Sequence, residues 1–432
     1  MLVQFSVGNF LSIRDVATLS MVATTIREHK ETNVFQTNKN LRLLKSAVIY
    51  GANASGKSNV FQALRFMARF IRNSSKEGQV DEEIAGVESF RLSTKSIDEP
   101  SFFEVVFIHN EVMYRYGFEL DYKEVKSEWL FYTPKKDKEY ELFQRNGEHF
   151  DIDKNFKEGE GLDIRTRNNA LFLSVVANFK GEISTQIMKW FGKLNVISGL
   201  QDDHFSYTRQ QLKKASFKDE LLDLMKVANL GIEDIEIEDE DNELPKPIEE
   251  LLKKLSSMHD SSEIKVNKLS LNTLHKKFDE DNRFIGFEKF LLFQHESEGT
   301  RKLISLLGPI IDSLKNSKVL VVDELDAKLH PLLTKFIIQL FNSKEYNNKN
   351  AQLIFNSHDT NLLSKDTFRR DQIWFTEKDQ YGATDLYSLV DYKVRNDASY
   401  EKDYLLGKYG SIPYIGTFQF IKNDKEGVDI GE

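Results

Sequence analysis

The chain has 432 residues, no cysteine, and a net charge of −9 from 59 basic and 68 acidic side chains. That length calls for two or three packing units of roughly 100–200 residues, and a hydrophobic content of 40 % gives them a core. Without cysteine there is no disulfide, zinc–thiolate, iron–sulfur cluster or thiol nucleophile, and the acid excess excludes a basic coat over the whole protein.

No run approaches ~18 consecutive apolar residues, so no membrane helix is expected. The opening MLVQFSVGNFLSIRD has neither the basic start nor the apolar run of an export signal, which points to the cytoplasm. Its alternation predicts two short strands within residues 1–25, broken at Gly8-Asn9, before a polar loop over 26–44. Ala47-Val48-Ile49-Tyr50 reads as a short buried strand, followed by GANASGKS and a helix over Asn59–Ile71. After a loop-rich stretch over 73–100, the runs FFEVVFI, VMYRYGFEL, VKSEWLFYT and YELFQR predict an antiparallel meander from Phe102 to about Phe150.

Apolar residues at helical spacing (Ile183, Ile187, Trp190, Phe191, Leu194; then Leu221, Leu222, Met225, Leu230) predict helices across 168–230. Glu233 to Glu243 holds eight acids and no base, so nearly all the net charge is local, and a solvated loop is the expected form. Pro245 and Pro247 mark a break, with a further helix expected over 248–258. From Phe284 on, helices (299–315, 330–343) alternate with strands (Val319–Val322, Gln352–Phe355, Gln372–Phe375), the rhythm of a doubly wound sheet.

Gly51-Ala-Asn53-Ala-Ser55-Gly56-Lys57-Ser58, followed by Asn59, fits the phosphate-loop pattern in full, with a strand before it and a helix after it. Glycine at 51 and 56 lets backbone N–H groups curl around phosphates. The helix start adds its positive end, Lys57 a point charge, and Ser58 a hydroxyl for Mg²⁺. Lys318-Val-Leu-Val-Val-Asp323-Glu324 reads as a central strand delivering two carboxylates to the sheet edge. Asp323 is placed for the Mg²⁺ shell and Glu324 to orient or deprotonate an attacking water.

In this order the motifs resemble the ABC-type ATPases of the SMC, RecF and OLD groups, and among them the stand-alone ATPases of bacterial abortive-infection and phage-defence operons. The resemblance covers about residues 1–70, 100–145 and 284–415. Ser297-Glu-Gly299-Thr300-Arg-Lys-Leu303, 26 residues before Asp323, resembles that family's signature. This would set Ser297 and Gly299 against the γ-phosphate of an opposite subunit, although a plain helix cap reads the same way. Leu325-Asp326-Ala-Lys-Leu-His330-Pro331 resembles the D-loop and its continuation, implying that Asp326 works across a dimer interface, with His330 favoured as structural. Gln352-Leu-Ile-Phe-Asn-Ser357-His358-Asp359 resembles the switch-histidine segment and implies His358 at the γ-phosphate.

Phe5 to Arg14 resembles the opening strand of SMC and RecF heads, with Asn9, Phe10 and Arg14 as adenine or ribose contacts or as plain strand-pairing residues. No Q-loop glutamine is assigned, Gln79 being the nearest candidate. Lys402 to Pro413 resembles a tail motif of the defence ATPases, of no derivable chemistry.

The resemblance implies an α/β P-loop NTPase fold: an ABC-type head with an N-terminal antiparallel meander and a mostly helical lid. The expected division is 1–167 and 284–432 for the two lobes and 168–283 for the insertion. It also implies ATP and Mg²⁺ as ligands, ATP hydrolysis, a homodimer or larger oligomer, and a separately encoded effector such as a nuclease, with no membrane partner. DNA contact, as in a RecF-like repair clamp, is not indicated by charge. An ATP-stabilised scaffold with little turnover is the third reading.

Overall fold

The computed structural model describes residues 1–134, 138–200, 204–240, 268–395 and 398–413. Strands β1 (Leu2–Gly8) and β2 (Ala17–Ser20) flank the Gly8-Asn9 break as expected. The polar stretch after them contains two three-residue strands, β3 (Val34–Gln36) and β4 (Arg42–Leu44), which pair with each other, and Leu43 of β4 also bridges to Val22. β5 (Ser46–Gly51) is buried at every position, the mark of a strand covered on both faces, and leads through the phosphate-loop motif into α1 (Lys57–Asn73). β6 (Ser101–His109), β7 (Val112–Leu120), β8 (Val125–Thr133), β9 (Tyr140–Asn146) and β10 (His149–Ile152) form the predicted meander. β1 adds antiparallel to β6, and the seven-stranded order is β10-β9-β8-β7-β6-β1-β2.

Helices α2 (Phe172–Asn178) and α3 (Glu182–Phe191) precede β11 (Leu194–Ser198), and α4 (Phe205–Leu212) and α5 (Ala215–Val227) follow it. β12 (Asp234–Glu240), β13 (Lys268–Phe278) and β14 (Phe284–Leu291) form a separate antiparallel sheet. The turn α6 (Leu292–His295), α7 (Glu298–Asn316), β15 (Val319–Asp323), α8 (Pro331–Asn342), β16 (Gln352–Asn356), β17 (Ile373–Lys378), β18 (Thr384–Ser388) and α9 (Tyr400–Leu405) complete the chain. The second large sheet has the order β11-β15-β16-β5-β17-β18, parallel except for β18 at the edge.

α1 lies between the two large sheets. Its Val60, Phe61, Leu64, Met67 and Ile71 join one core with Ala47 and Ile49 of β5 and with Phe103, Val105 and Phe118 of the meander. Much of the phenylalanine content serves this layer: Phe66 packs on Phe10, Phe70 and Phe103 at ring separations of 5.1–5.7 Å. The opposite face of the parallel sheet is covered by α7 and α8 through Leu303, Leu307, Ile311, Ile337 and Phe341.

The stretch 168–283 departs from the expected helical lid at three strands, β11, β12 and β13. β11, read as part of a helix, pairs parallel with β15, and Ser198 stands opposite Asp323. Its five residues LNVIS are too short to separate a buried strand from a helix by periodicity. The acidic run, expected as a loop, forms β12 as far as Glu240. Lys289 of β14 reaches both Glu236 and Glu238 at 2.6 Å, and Lys218 reaches Asp234 at 2.7 Å. Cross-strand cations thus offset a charge density that in isolation favours solvent. The helix expected over 248–258 and the acids beyond Glu240 lie outside the described residues.

Glu128 of β8 fixes the turn into α2. Its buried carboxylate accepts from the N–H groups of Phe172 and Leu173 at 2.7 and 3.0 Å and from Tyr116 Oη at 2.8 Å, with Arg145 at 3.8 Å. Glu128→Ala leaves Arg145 as an uncompensated buried charge and is expected to cost about 3–5 kcal/mol. Urea unfolding of the two proteins measures this, and an unchanged midpoint would refute the role.

Candidate functional site

Three parallel strands end at one edge of the sheet: β5 at Gly51, β15 at Asp323 and β16 at Asn356. Side chains and loops at the carboxyl ends of such strands form the usual crevice of an open α/β sheet. The cleft here measures about 790 Å³ and is lined by Asn53, Ala54, Ser55, Gly56, Lys57, Ser58, Asn59, Glu324, His358 and Lys378.

The glycines of the loop are dictated by close approach. A Cβ at Gly51 would lie 2.5 Å from Thr376 O, and one at Gly56, whose φ is 104°, would collide with Thr384 Oγ1. β17 and β18 therefore support the loop from below. Ser55 Oγ meets Thr376 Oγ1 at 2.7 Å, Thr384 Oγ1 donates to Ser55 O at 2.9 Å, and Asn59 Nδ2 donates to Ser12 Oγ at 2.5 Å. The side chains of Ser55 and Asn59 are thus engaged in bracing, although both residues still line the cleft. Lys57 donates to Gly51 O at 2.8 Å and Ala52 O at 3.0 Å. Burial lowers its pKa, opposed by the charges of Glu324, Asp323 and Asp326.

Opposite the loop, Asp323 Oδ1 accepts from Ser58 Oγ at 2.9 Å and from Asn356 Nδ2 at 2.5 Å. Asn356 is fully buried, and its Oδ1 accepts from the N–H of Glu324. Glu324 has φ 59°, a left-handed conformation that is strained for a side-chain-bearing residue and directs its carboxylate to the cleft. Gly199, just past β11, donates to Asp323 O at 2.5 Å, and a Cβ there would collide with Glu324 O. Asn356 and Gly199 were not singled out by sequence. Asn356 stood in the open, two residues before His358, whereas Gly199 followed a strand that reads as helix.

The N–H of His358 donates to Asp326 Oδ2 at 3.1 Å, so within one chain Asp326 anchors the histidine backbone. Its other carboxylate oxygen is buried, with no hydrogen-bond partner among the described residues. His330 caps α8 by accepting from the N–H of Leu332 at 3.2 Å, the structural role favoured for it.

Ser297 and Gly299 are not among the residues lining this cleft. Ser297 caps α7, its exposed Oγ accepting from Thr300 N at 3.1 Å. Asn9 and Phe10 take the structural alternative left open for them. Asn9 is buried, donating to Ser96 O and Glu99 O and accepting from Phe90 N, and Phe10 is in the core. Arg14 pairs with Asp15 and Asp379. Gln79 meets Asn169 and Glu82, away from the cleft.

Two outcomes follow from this geometry. Asn356→Ala strands a buried donor and acceptor and is expected to cost about 1–3 kcal/mol in urea unfolding; no loss would refute the bridging role. Burial and nearby Lys57 hold the His358 imidazole below its ordinary 6.5. The unfolded chain therefore binds the proton more readily, and stability is lost as pH falls below about 6.5. Thermal unfolding should show this acid loss reduced in His358→Gln, and equal losses in both proteins would contradict it.

A family model described as "AAA domain, putative AbiEii toxin, Type IV TA system" matches residues 46–364. No curated protein matches the chain. Among solved structures it is similar to the SMC head domain from Thermotoga maritima, at 13 % identity over 90 % of this chain and 98 % of that one, with a TM-score of 0.40. It is also similar to the Smc head domain with an extended coiled coil bound to the C-terminal domain of ScpA from Pyrococcus furiosus, at 11 % identity over 94 % and 98 % of the two chains, with a TM-score of 0.37. The ATP complex of the recombination mediator protein RecF matches at 15 % identity over 89 % and 97 %, with a TM-score of 0.30. The family match takes in both the phosphate-loop motif and the paired acids and spans more than half of the 432 residues: the chain belongs to this family of AAA-domain proteins.

Proposed function

We propose that this protein is an ATP-hydrolysing molecular switch that closes as a dimer around nucleotide and regulates a separate effector in an anti-phage defence system. The observation that carries the catalytic part is the hydrogen-bonded junction Ser58–Asp323–Asn356, which holds the acid pair across the cleft from a glycine-lined loop.

The loop N–H groups of residues 51–58 wrap the phosphates, and Lys57 exchanges its two carbonyl partners for phosphate oxygens. Ser58 and Asp323 would hold Mg²⁺, which supplies positive charge against the phosphates. Their donor set fits that ion: oxygen only, one carboxylate and one hydroxyl 2.9 Å apart, with no cluster of three or more His, Asp or Glu that could hold a metal among the described residues. An ion that keeps waters and phosphate oxygens needs no larger protein cage. Glu324 takes the proton of the attacking water, and His358, neutral near pH 7, positions the γ-phosphate.

Ser297 and Gly299, outside the cleft of their own chain, suit a role against the nucleotide of a partner subunit. Nucleotide then biases an open–closed equilibrium, and hydrolysis resets it. The defence setting rests on the motif resemblance, and the matched family is described by a toxin of a Type IV TA system. ATP-coupled, steeply salt-dependent DNA binding would replace it with a repair role.

Phosphate release and calorimetric ATP titration test the catalytic reading. Lys57→Ala is expected to lose ATP binding. Glu324→Gln is expected to bind ATP and turn over roughly 10²–10⁴-fold more slowly; full activity in Glu324→Gln would end the assignment.

A further inference from the structure

The signature residue Ser297 is held from two sides. On one side it caps α7, whose body is buried from Leu303 to Ile311. On the other it follows Glu296, whose side chain leaves the α/β body for the separate three-stranded sheet. Glu296 Oε1 accepts from Thr273 Oγ1 at 2.5 Å and lies 2.7 Å from His275 Nε2. Both partners belong to β13, the central strand of that sheet. The Glu296 side chain is only 9 % exposed. The His275 ring packs on Phe290 of β14 at 4.7 Å, and Leu291 N donates to His295 Nδ1 at 2.9 Å, so the turn from β14 into Ser297 is tied at successive points. β14 itself is exposed along most of its length, whereas α7 is embedded.

We propose that His275, Thr273 and Glu296 form a latch through which the β12–β14 sheet sets the position of Ser297. They are positioning residues, touching neither nucleotide nor the reacting atoms. A short carboxylate contact is directional, so a rotation of the sheet is passed to residue 296. Residue 297 and the first turn of α7 then shift against the buried body of that helix, moving the Ser297 hydroxyl relative to a nucleotide held by the partner subunit. A displacement of the sheet is in this way passed to the signature segment. This rests on the ATPase reading above, but the latch itself is a mechanical statement about one chain.

The experiment pairs two readouts on the full chain: amide hydrogen exchange without nucleotide, and steady-state ATP turnover. Glu296→Gln keeps the shape of the side chain and removes its charge, and His275→Ala removes the partner. Each is expected to speed exchange at residues 297–301 on the order of tenfold and leave 303–314 unchanged. Each is also expected to lower kcat on the order of tenfold or more with KM for ATP held, because small misplacements of a positioning group are costly. The double variant should match the worse single one, since both break the same contact. Unchanged exchange in both single variants overturns the latch. Faster exchange with unchanged kcat overturns its positioning role. Wild-type protein without ATP turnover overturns the ATPase reading instead, whatever the exchange shows.

Discussion

Everything at the cleft depends on one buried amide. Asn356 joins the end of β16 to the end of β15 by donating to the carboxylate of Asp323 and accepting from the backbone of Glu324. Asparagine meets both demands because its side chain carries donor and acceptor on one plane. Aspartate in its place would face Asp323 with a like charge, and leucine would leave both groups unpaired in the interior. The bridge also explains how a non-glycine residue persists at φ 59°: the backbone of Glu324 is fixed by the bridge on one side and closed off by Gly199 on the other.

That bridge works only on a rigid platform. α1, which begins at Lys57, is clamped between the parallel sheet and the meander by a layer rich in phenylalanine. The loop ahead of it rests on Thr376 and Thr384 of β17 and β18. Phosphate loop and acid pair are therefore set by different strands of one sheet, and their separation follows from strand packing rather than from loop flexibility.

The site was legible in the sequence wherever backbone chemistry fixes residue type. Gly51 and Gly56 stood out because close approach to a sheet tolerates little else there, Lys57 and Ser58 because they complete the phosphate-loop pattern, and Asp323-Glu324 because an apolar strand ends in two acids in a chain that already carries that pattern. The meander was legible through its alternation. β11 was not, since five residues carry no decisive period, and with it Gly199 was lost. β12 was hidden by its own acidity: nothing local announces that Lys218 and Lys289 will arrive from α5 and β14. Asn9 and Phe10 stayed open in the sequence because a polar break beside an aromatic suits a ligand contact as well as a buried turn. The latch at Glu296 was invisible because its partners are more than twenty residues away on another strand.

The chain belongs to a family of AAA-domain proteins, and the geometry supplies what a family name leaves open: how the acid pair is oriented and how the β12–β14 sheet reaches the turn before Ser297. Asp323, already hydrogen-bonded to Ser58 and Asn356, is proposed to complete a Mg²⁺-dependent nucleotide site. Calorimetric titration of ATP with and without Mg²⁺, into wild-type protein and into Asp323→Asn, tests it most directly. Mg²⁺ is expected to tighten ATP binding about tenfold or more in the wild type, equivalent to about 1.4 kcal/mol, and hardly at all in the variant. The same Mg²⁺ dependence in both proteins would contradict it.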